Sequence, residues 1–178
     1  MSQSKQKRTD LRNMSDDDRA FLAEMLRERI YATITLLAVV AALWQHPDEH
    51  QPLGAIGVIL GTVGALWLAT LVAARISYTA VHGKAIHKEP KYLEASKAAS
   101  GLLTPAIAPI VFVLLSIIGL FSLKTALFVG ALSLLASLFF FSVVSGNRVT
   151  DSKVKLLVFS AIQTLIGVGV VLLKLAVE

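Results

Sequence analysis

The sequence predicts an all-α, polytopic membrane protein with five transmembrane helices, and three observations lead there. The 178 residues are 55% hydrophobic, with a mean hydropathy of +0.69. Leu53–Ala74 is a 22-residue run without a single charge, ended by Arg75. At about 1.5 Å per residue such a helix covers the roughly 30 Å hydrocarbon core of a bilayer. Further apolar runs recur along the chain, giving spans at about 30–44, 53–74, 102–121, 126–144 and 156–173. The chain has no cysteine, which excludes disulfides, thiolate metal sites and cysteine nucleophiles. Its formal charge of +5 is topological in such a protein and does not point to nucleic acid.

Residues 1–14 are polar, carry Lys5, Lys7, Arg8 and Arg12, and hold too few apolar groups to offset the entropy of folding. They are read as a disordered cytoplasmic tail, with the membrane domain occupying 15–178. A cleavable signal peptide is not expected, because the first apolar core begins near residue 30. Ser15 followed by Asp16, Asp17 and Asp18 predicts a helix start, capped by the hydroxyl and favoured by acids at the positive end of the dipole. From Asp16 to Arg29 the pattern is amphipathic. Phe21, Leu22, Met25, Leu26 and Ile30 share one side, and Glu24 can pair with Arg27 one turn away. This stalk feeds span one, whose 15 apolar residues from Ile30 to Trp44 are short alone. Arg27 and Arg29 are expected to snorkel, with Tyr31 and Trp44 at the two interfaces.

The turn after span one, His46–Pro52, concentrates four candidate metal ligands: His46, Asp48, Glu49 and His50. Imidazole and carboxylate suit zinc, iron or manganese, although the spacing matches no established loop. No cofactor is expected. Span two carries Gly54, Gly57, Gly61 and Gly64 at steps of three, four and three, a GxxxG-like stripe on one helical face. Lipid supplies no hydrophobic force between helices, so small residues that let backbones approach predict this helix as the packing centre of the bundle. A basic connector from Arg75 to Ser100 follows, with Lys84, Lys88, Lys91 and Lys97 and a turn at Glu89-Pro90. His82 and His87 are five apart and do not share a helix face.

Span three holds Thr104, Pro105 and Pro109. The prolines remove helical N–H bonds, so its first half is expected to bend or unwind, as a packing kink or as part of a path. Span four follows the Ser122–Thr125 turn and adds Gly130, Ser133 and Ser137 as a second contact surface, ending after Phe139, Phe140 and Phe141. Span five contains Gln163, read as a buried interhelical amide or a path-lining group, with Gly167 and Gly169 beyond it. None of the five spans has a charged residue or a histidine at mid-depth, so no proton relay and no nucleophile–base pair is expected and the chain is not read as an enzyme. Fifteen of the seventeen Lys and Arg flank one side: seven before span one, five after span two and three after span four. That asymmetry predicts a cytoplasmic N-terminus in an inner or plasma membrane and an outward His46–Pro52 turn.

Five spans entered by Arg27-Glu28-Arg29-Ile30-Tyr31, with a polar connector after span two, resemble the VIT family, the vacuolar iron transporter-like membrane proteins. The resemblance covers the architecture of residues 20–176. Family members that move iron carry an acidic residue inside span one, a methionine in span two and a Glu-rich helical insertion after it. Here span one reads Ala32-Thr33-Ile34-Thr35, span two has no methionine and the connector has only Glu89 and Glu94. The resemblance therefore implies a relative without the family's metal machinery, and no ligand residue carries over. Two functions follow as expectations. One is a scaffold or subunit working through helix–helix contacts, as a homo-oligomer or with a membrane-protein partner. The other is a small carrier or channel-like protein for a metal ion or small solute, with Thr33, Thr35, Thr104 and Gln163 along its path.

Overall fold

A computed structural model describes residues 15–83, 99–146 and 152–177. Among these residues every regular element is helical: α1 (Asp16–Gln45), a 3-10 turn (Pro47–Glu49), α2 (Pro52–His82), a second 3-10 helix (Gly101–Ala106), α3 (Ile107–Ile117), α4 (Leu123–Gly146) and α5 (Lys153–Val177). The expected tail, the Glu89-Pro90 turn and most of the basic connector lie outside the described residues. Among the described residues, three stretches are long and apolar enough to cross a membrane, Pro52–Val81, Leu123–Val144 and Val154–Leu173. Their outward faces suit lipid, with Leu53, Leu68, Ile76, Phe140, Leu165 and Leu173 all more than half exposed. A water-soluble monomer rarely shows apolar surface on that scale.

Ser15 starts α1, its carbonyl accepting the Arg19 N–H at 3.1 Å. The stalk and the first apolar run form one unbroken helix of 30 residues, so the lead-in contributes directly to the length of the element. The apolar segment around the prolines is shorter than expected. Gly101–Ala106 winds as a 3-10 helix with Pro105 inside it, and α3 ends at Ile117. Pro105 has no N–H to give an α-helical bond, and the tighter winding is the local answer. The end of α3 is a Schellman turn: Leu120 N–H donates to the Leu115 carbonyl at 3.2 Å and Gly119 N–H to that of Ser116 at 3.1 Å. Gly119 sits at φ 81, a left-handed position that favours glycine. Ser122 then caps α4, accepting the Thr125 N–H on Oγ at 3.2 Å.

The packing centre is α1, not the glycine helix. Ala32, Leu36, Val40 and Leu43 are almost wholly buried, and α1 touches α2, the second 3-10 helix, α4 and α5. Trp44 closes the far end against Phe128 of α4, ring centroids 5.8 Å apart. Helix α2 faces the core with Ala55, Ile59 and Val63. At 3.6 residues per turn its glycine stripe is centred about 180° away from that face. A Cβ at Gly54, Gly57, Gly61 or Gly64 would meet nothing within 4 Å. The expected small-residue contact exists elsewhere, where Gly130 of α4 meets Pro109 of α3. A Cβ at Gly130 would stand 3.3 Å from both Cα and Cβ of that buried proline.

The two glycine sites should therefore respond in opposite ways. Gly130→Leu forces backbone and ring apart and is expected to cost about 1–3 kcal/mol. Gly57→Leu, entering open space in a helix, is expected to leave stability unchanged or raise it by about 1 kcal/mol. Reversible unfolding of the detergent-solubilised full chain checks both.

Candidate functional site

Among the described residues, two concave surfaces and one packed helix contact hold the polar groups of interest. The first is a cleft of about 640 Å³ between α1 and α2, lined on one side by Glu24, Arg27, Glu28 and Tyr31 and on the other by Leu66, Thr70 and Ser77 with intervening alanines. The α1 residues recur at i, i+3, i+4 and i+7, which places them in one stripe. The expected pair between Arg27 and Glu24 is formed, and the same guanidinium stands 3.5 Å from Glu28. Glu28 is the buried member, its side chain only 15% exposed. It accepts a hydrogen bond from the Thr70 hydroxyl at 3.4 Å. The three ionised groups carry one net negative charge at the edge of an apolar helix pair.

The second feature lies on the other side of α1. Arg29 packs against the start of the second 3-10 helix, where a Cβ on Gly101 would come within 2.8 Å of its Nε. Only glycine gives this approach room. Around it, Ala32, Ala99 and Leu102 are buried with Leu66, Trp67 and Leu71 against them. The Nε is buried and has no hydrogen-bond partner. The guanidinium thus does not simply snorkel: part of it is held among apolar helices.

The third is a groove of about 270 Å³ between α1, α4 and α5, lined by Ile30, Ile34, Phe141, Ser142, Gln163 and Gly167 among others. Gln163 was expected inside the core. It is exposed, on the flank of α5, because Ser160, Gly167 and Val171 supply the buried face of that helix. Gly167 allows the close crossing here, since a Cβ would stand 2.5 Å from Cδ2 of Leu138. The residues expected to share a path with Gln163 do not converge on it. Thr33 is buried and donates to the Arg29 carbonyl at 2.7 Å. Thr104 is exposed, Pro105 half-buried and Pro109 buried against Gly130, and none of them lines the groove.

The His46–Pro52 turn is ordered by backbone bonds, Glu49 N–H to the His46 carbonyl and His50 N–H to that of Pro47. His46 Nδ1 lies 3.7 Å from Glu49 Oε1. Among the described residues no three His, Cys, Asp or Glu side chains gather where they could hold a metal ion, and His46, Asp48, Glu49 and His50 share a turn without forming such a group. Glu28 with Thr70, and Arg29 with Gly101, are the polar contacts that sequence reasoning missed. The signal for the first was present in the stripe Glu24, Arg27, Glu28, Tyr31 set against Thr70 and Ser77. No residue spacing announces the second.

A comparison with known proteins finds no family model, no curated sequence and no solved structure that matches this chain. The bundle's own contacts are accordingly the basis of any functional reading.

The buried Arg29 makes a direct prediction. Arg29→Met keeps the apolar stem and removes an unmatched donor, so stability is expected to rise by about 1 kcal/mol. Gly101→Val, which drives a branched side chain into the same guanidinium, is expected to lower it by about 1–3 kcal/mol. Thermal unfolding of both variants in one detergent measures the two signs.

Proposed function

We propose that this chain is a five-span integral membrane protein with a cytoplasmic N-terminus, acting as a scaffold or subunit through helix–helix contacts in an inner or plasma membrane. The observation that carries the reading is the outward face of α2, where a Cβ added at any of four glycines in register would meet nothing within 4 Å. A helix without side chains along one face lets another helix approach closely, and that is how helices associate in lipid. The five-span count adds the apolar part of α1 and the proline-bearing segment 101–121 to the three long apolar helices. The orientation follows from the fifteen Lys and Arg gathered on one side. The amphipathic stalk then stands in the cytoplasm. Its Leu22, Met25 and Leu26 border an apolar groove of about 940 Å³ that reaches Ile34 and Val144.

A second reading, a small carrier for a metal ion or small solute related to the VIT family, draws support from the groove beside Gln163 and Ser142. The two readings differ in what they need at mid-depth. A carrier of ions requires charge or several converging dipoles along its path, and the groove offers one amide and one hydroxyl already bonded to its own helix, Ser142 Oγ to the Leu138 carbonyl at 3.0 Å. That balance favours the scaffold.

Native mass spectrometry of the protein, extracted gently from its own membrane with bound metals and lipids identified, separates them. A metal-free assembly of stoichiometric composition is expected. A complex holding a transition metal in fixed ratio would overturn the scaffold reading and direct attention to His46, Asp48, Glu49 and His50.

A further inference from the structure

The carboxamide of Gln163 lacks a partner at the depth where one is needed most. It lies at the middle of the apolar stretch Val154–Leu173, about 15 Å along the helix from Lys153. Two neighbouring hydroxyls are satisfied within their own helices, Thr164 donating to the Ser160 carbonyl at 2.9 Å and Ser142 to that of Leu138 at 3.0 Å, while Ser160 Oγ, one turn back, is buried without a partner on the face of α5 turned into the bundle. Gln163 has two donors and an acceptor, is exposed, and bonds to none of the described residues. Lipid tails offer it nothing, and an unmatched amide in hydrocarbon is costly.

The amide is also centred on a surface of helix-pairing form. Phe159, Gln163, Ile166, Val170 and Leu173 follow one another at steps of four, three, four and three, and all five are exposed, the first four also lining the groove between α1, α4 and α5. This is the spacing of a left-handed helix pair, with a single polar residue in the middle of an apolar seam. In such pairs a lone core amide selects register and the number of strands.

We propose that this seam of α5 is the interface between two copies of the chain, closed by a mutual hydrogen-bonded pair of Gln163 side chains. Copies inserted in one orientation are related by a two-fold axis along the membrane normal, so residue 163 of one meets residue 163 of the other at the same depth. The carboxamide is self-complementary. Each N–H donates to the other's carbonyl oxygen, forming two bonds. An unrelated helix would need a polar group at the matching depth, whereas a second copy brings it by symmetry. The open glycine stripe of α2 carries no comparable unmatched group. The inference rests on the membrane-spanning scaffold reading above and adds to the α2 face a second contact surface, on α5, whose occupant is a second copy.

The absence of native cysteine makes the test clean. The full-length chain is prepared in membrane vesicles with a single cysteine, Ile166→Cys on the seam or Gly61→Cys on the glycine face, and oxidised with copper phenanthroline. Ile166→Cys is expected to give a disulfide-linked dimer and Gly61→Cys none. Adding Gln163→Leu to Ile166→Cys is expected to raise the dimer's dissociation constant about tenfold, and Gln163→Asn to recover part of the loss. A monomeric unfolding profile matching that of the parent shows that the Leu variant folds. Cross-linking through Gly61→Cys alone, or a dimer indifferent to Gln163→Leu, overturns the proposal. If no dimer forms but a stoichiometric second membrane protein co-purifies, the second-copy inference falls while the scaffold reading stands. If neither copy nor partner is found, both fall.

Discussion

The bundle depends on one packed face. Ala32, Leu36, Val40 and Leu43 of α1 are buried to within a few per cent, and the contacts of α2, α4 and α5 all include this helix. In lipid such a face gains little from exclusion of water, since tails solvate leucine as well as another leucine does. Its cohesion comes from shape. That is why the close contacts sit where a side chain is missing: Gly130 on Pro109, Gly167 under Leu138, Gly101 beside Arg29. Each brings backbone near a rigid or bulky neighbour, either at α1 itself or between α3 and α4 or α4 and α5.

Much of this architecture was legible in the sequence. The helix start at Ser15-Asp16, the apolar α2, α4 and α5 and the proline-disturbed entry to α3 followed from composition, capping residues and run length, all of which act locally. What failed was the choice of face. The stripe Gly54, Gly57, Gly61, Gly64 is a real feature of α2, but Ala55, Ile59 and Val63 turn the helix so that the stripe points outward. In a soluble helix the polar face would have settled the question. Here both faces are apolar, and the rotation is set by which side chains interlock with α1, a fact about a partner and not about the helix. The same ambiguity moved Gln163 from the core to its flank, because Gly167 offers a closer fit to Leu138 and Ser160 shares that buried face.

The candidate site was less legible for a related reason. Glu28 and Arg29 adjoin in sequence at the mouth of the first apolar run, yet they diverge by about 100° around α1, one toward Thr70 and the other toward Gly101. A linear reading treats such a pair as interfacial charges of one kind. The fold makes them two environments: an acid hydrogen-bonded in a cleft, and a guanidinium with its Nε enclosed. Which environment each enters is decided by residues about forty and seventy positions away.

Most hydroxyls of this bundle differ from the Gln163 amide in what they can do. The hydroxyls of Thr33, Thr62, Thr79, Ser137, Ser142 and Thr164 each donate to the carbonyl four residues earlier in their own helix. They are satisfied without neighbours, so they neither bind helices together nor offer a free site to a solute. A glutamine cannot hide in that way: one carbonyl cannot absorb two donors and an acceptor. The amide must reach another chain element, a ligand or water, and on α5 the described bundle supplies none. Steric fit thus supplies most of the contacts between helices, while the exposed amide of Gln163 leaves its hydrogen-bonding capacity unused. A fold built on that division keeps its hydroxyls bonded within their own helices and leaves this amide on its outer flank.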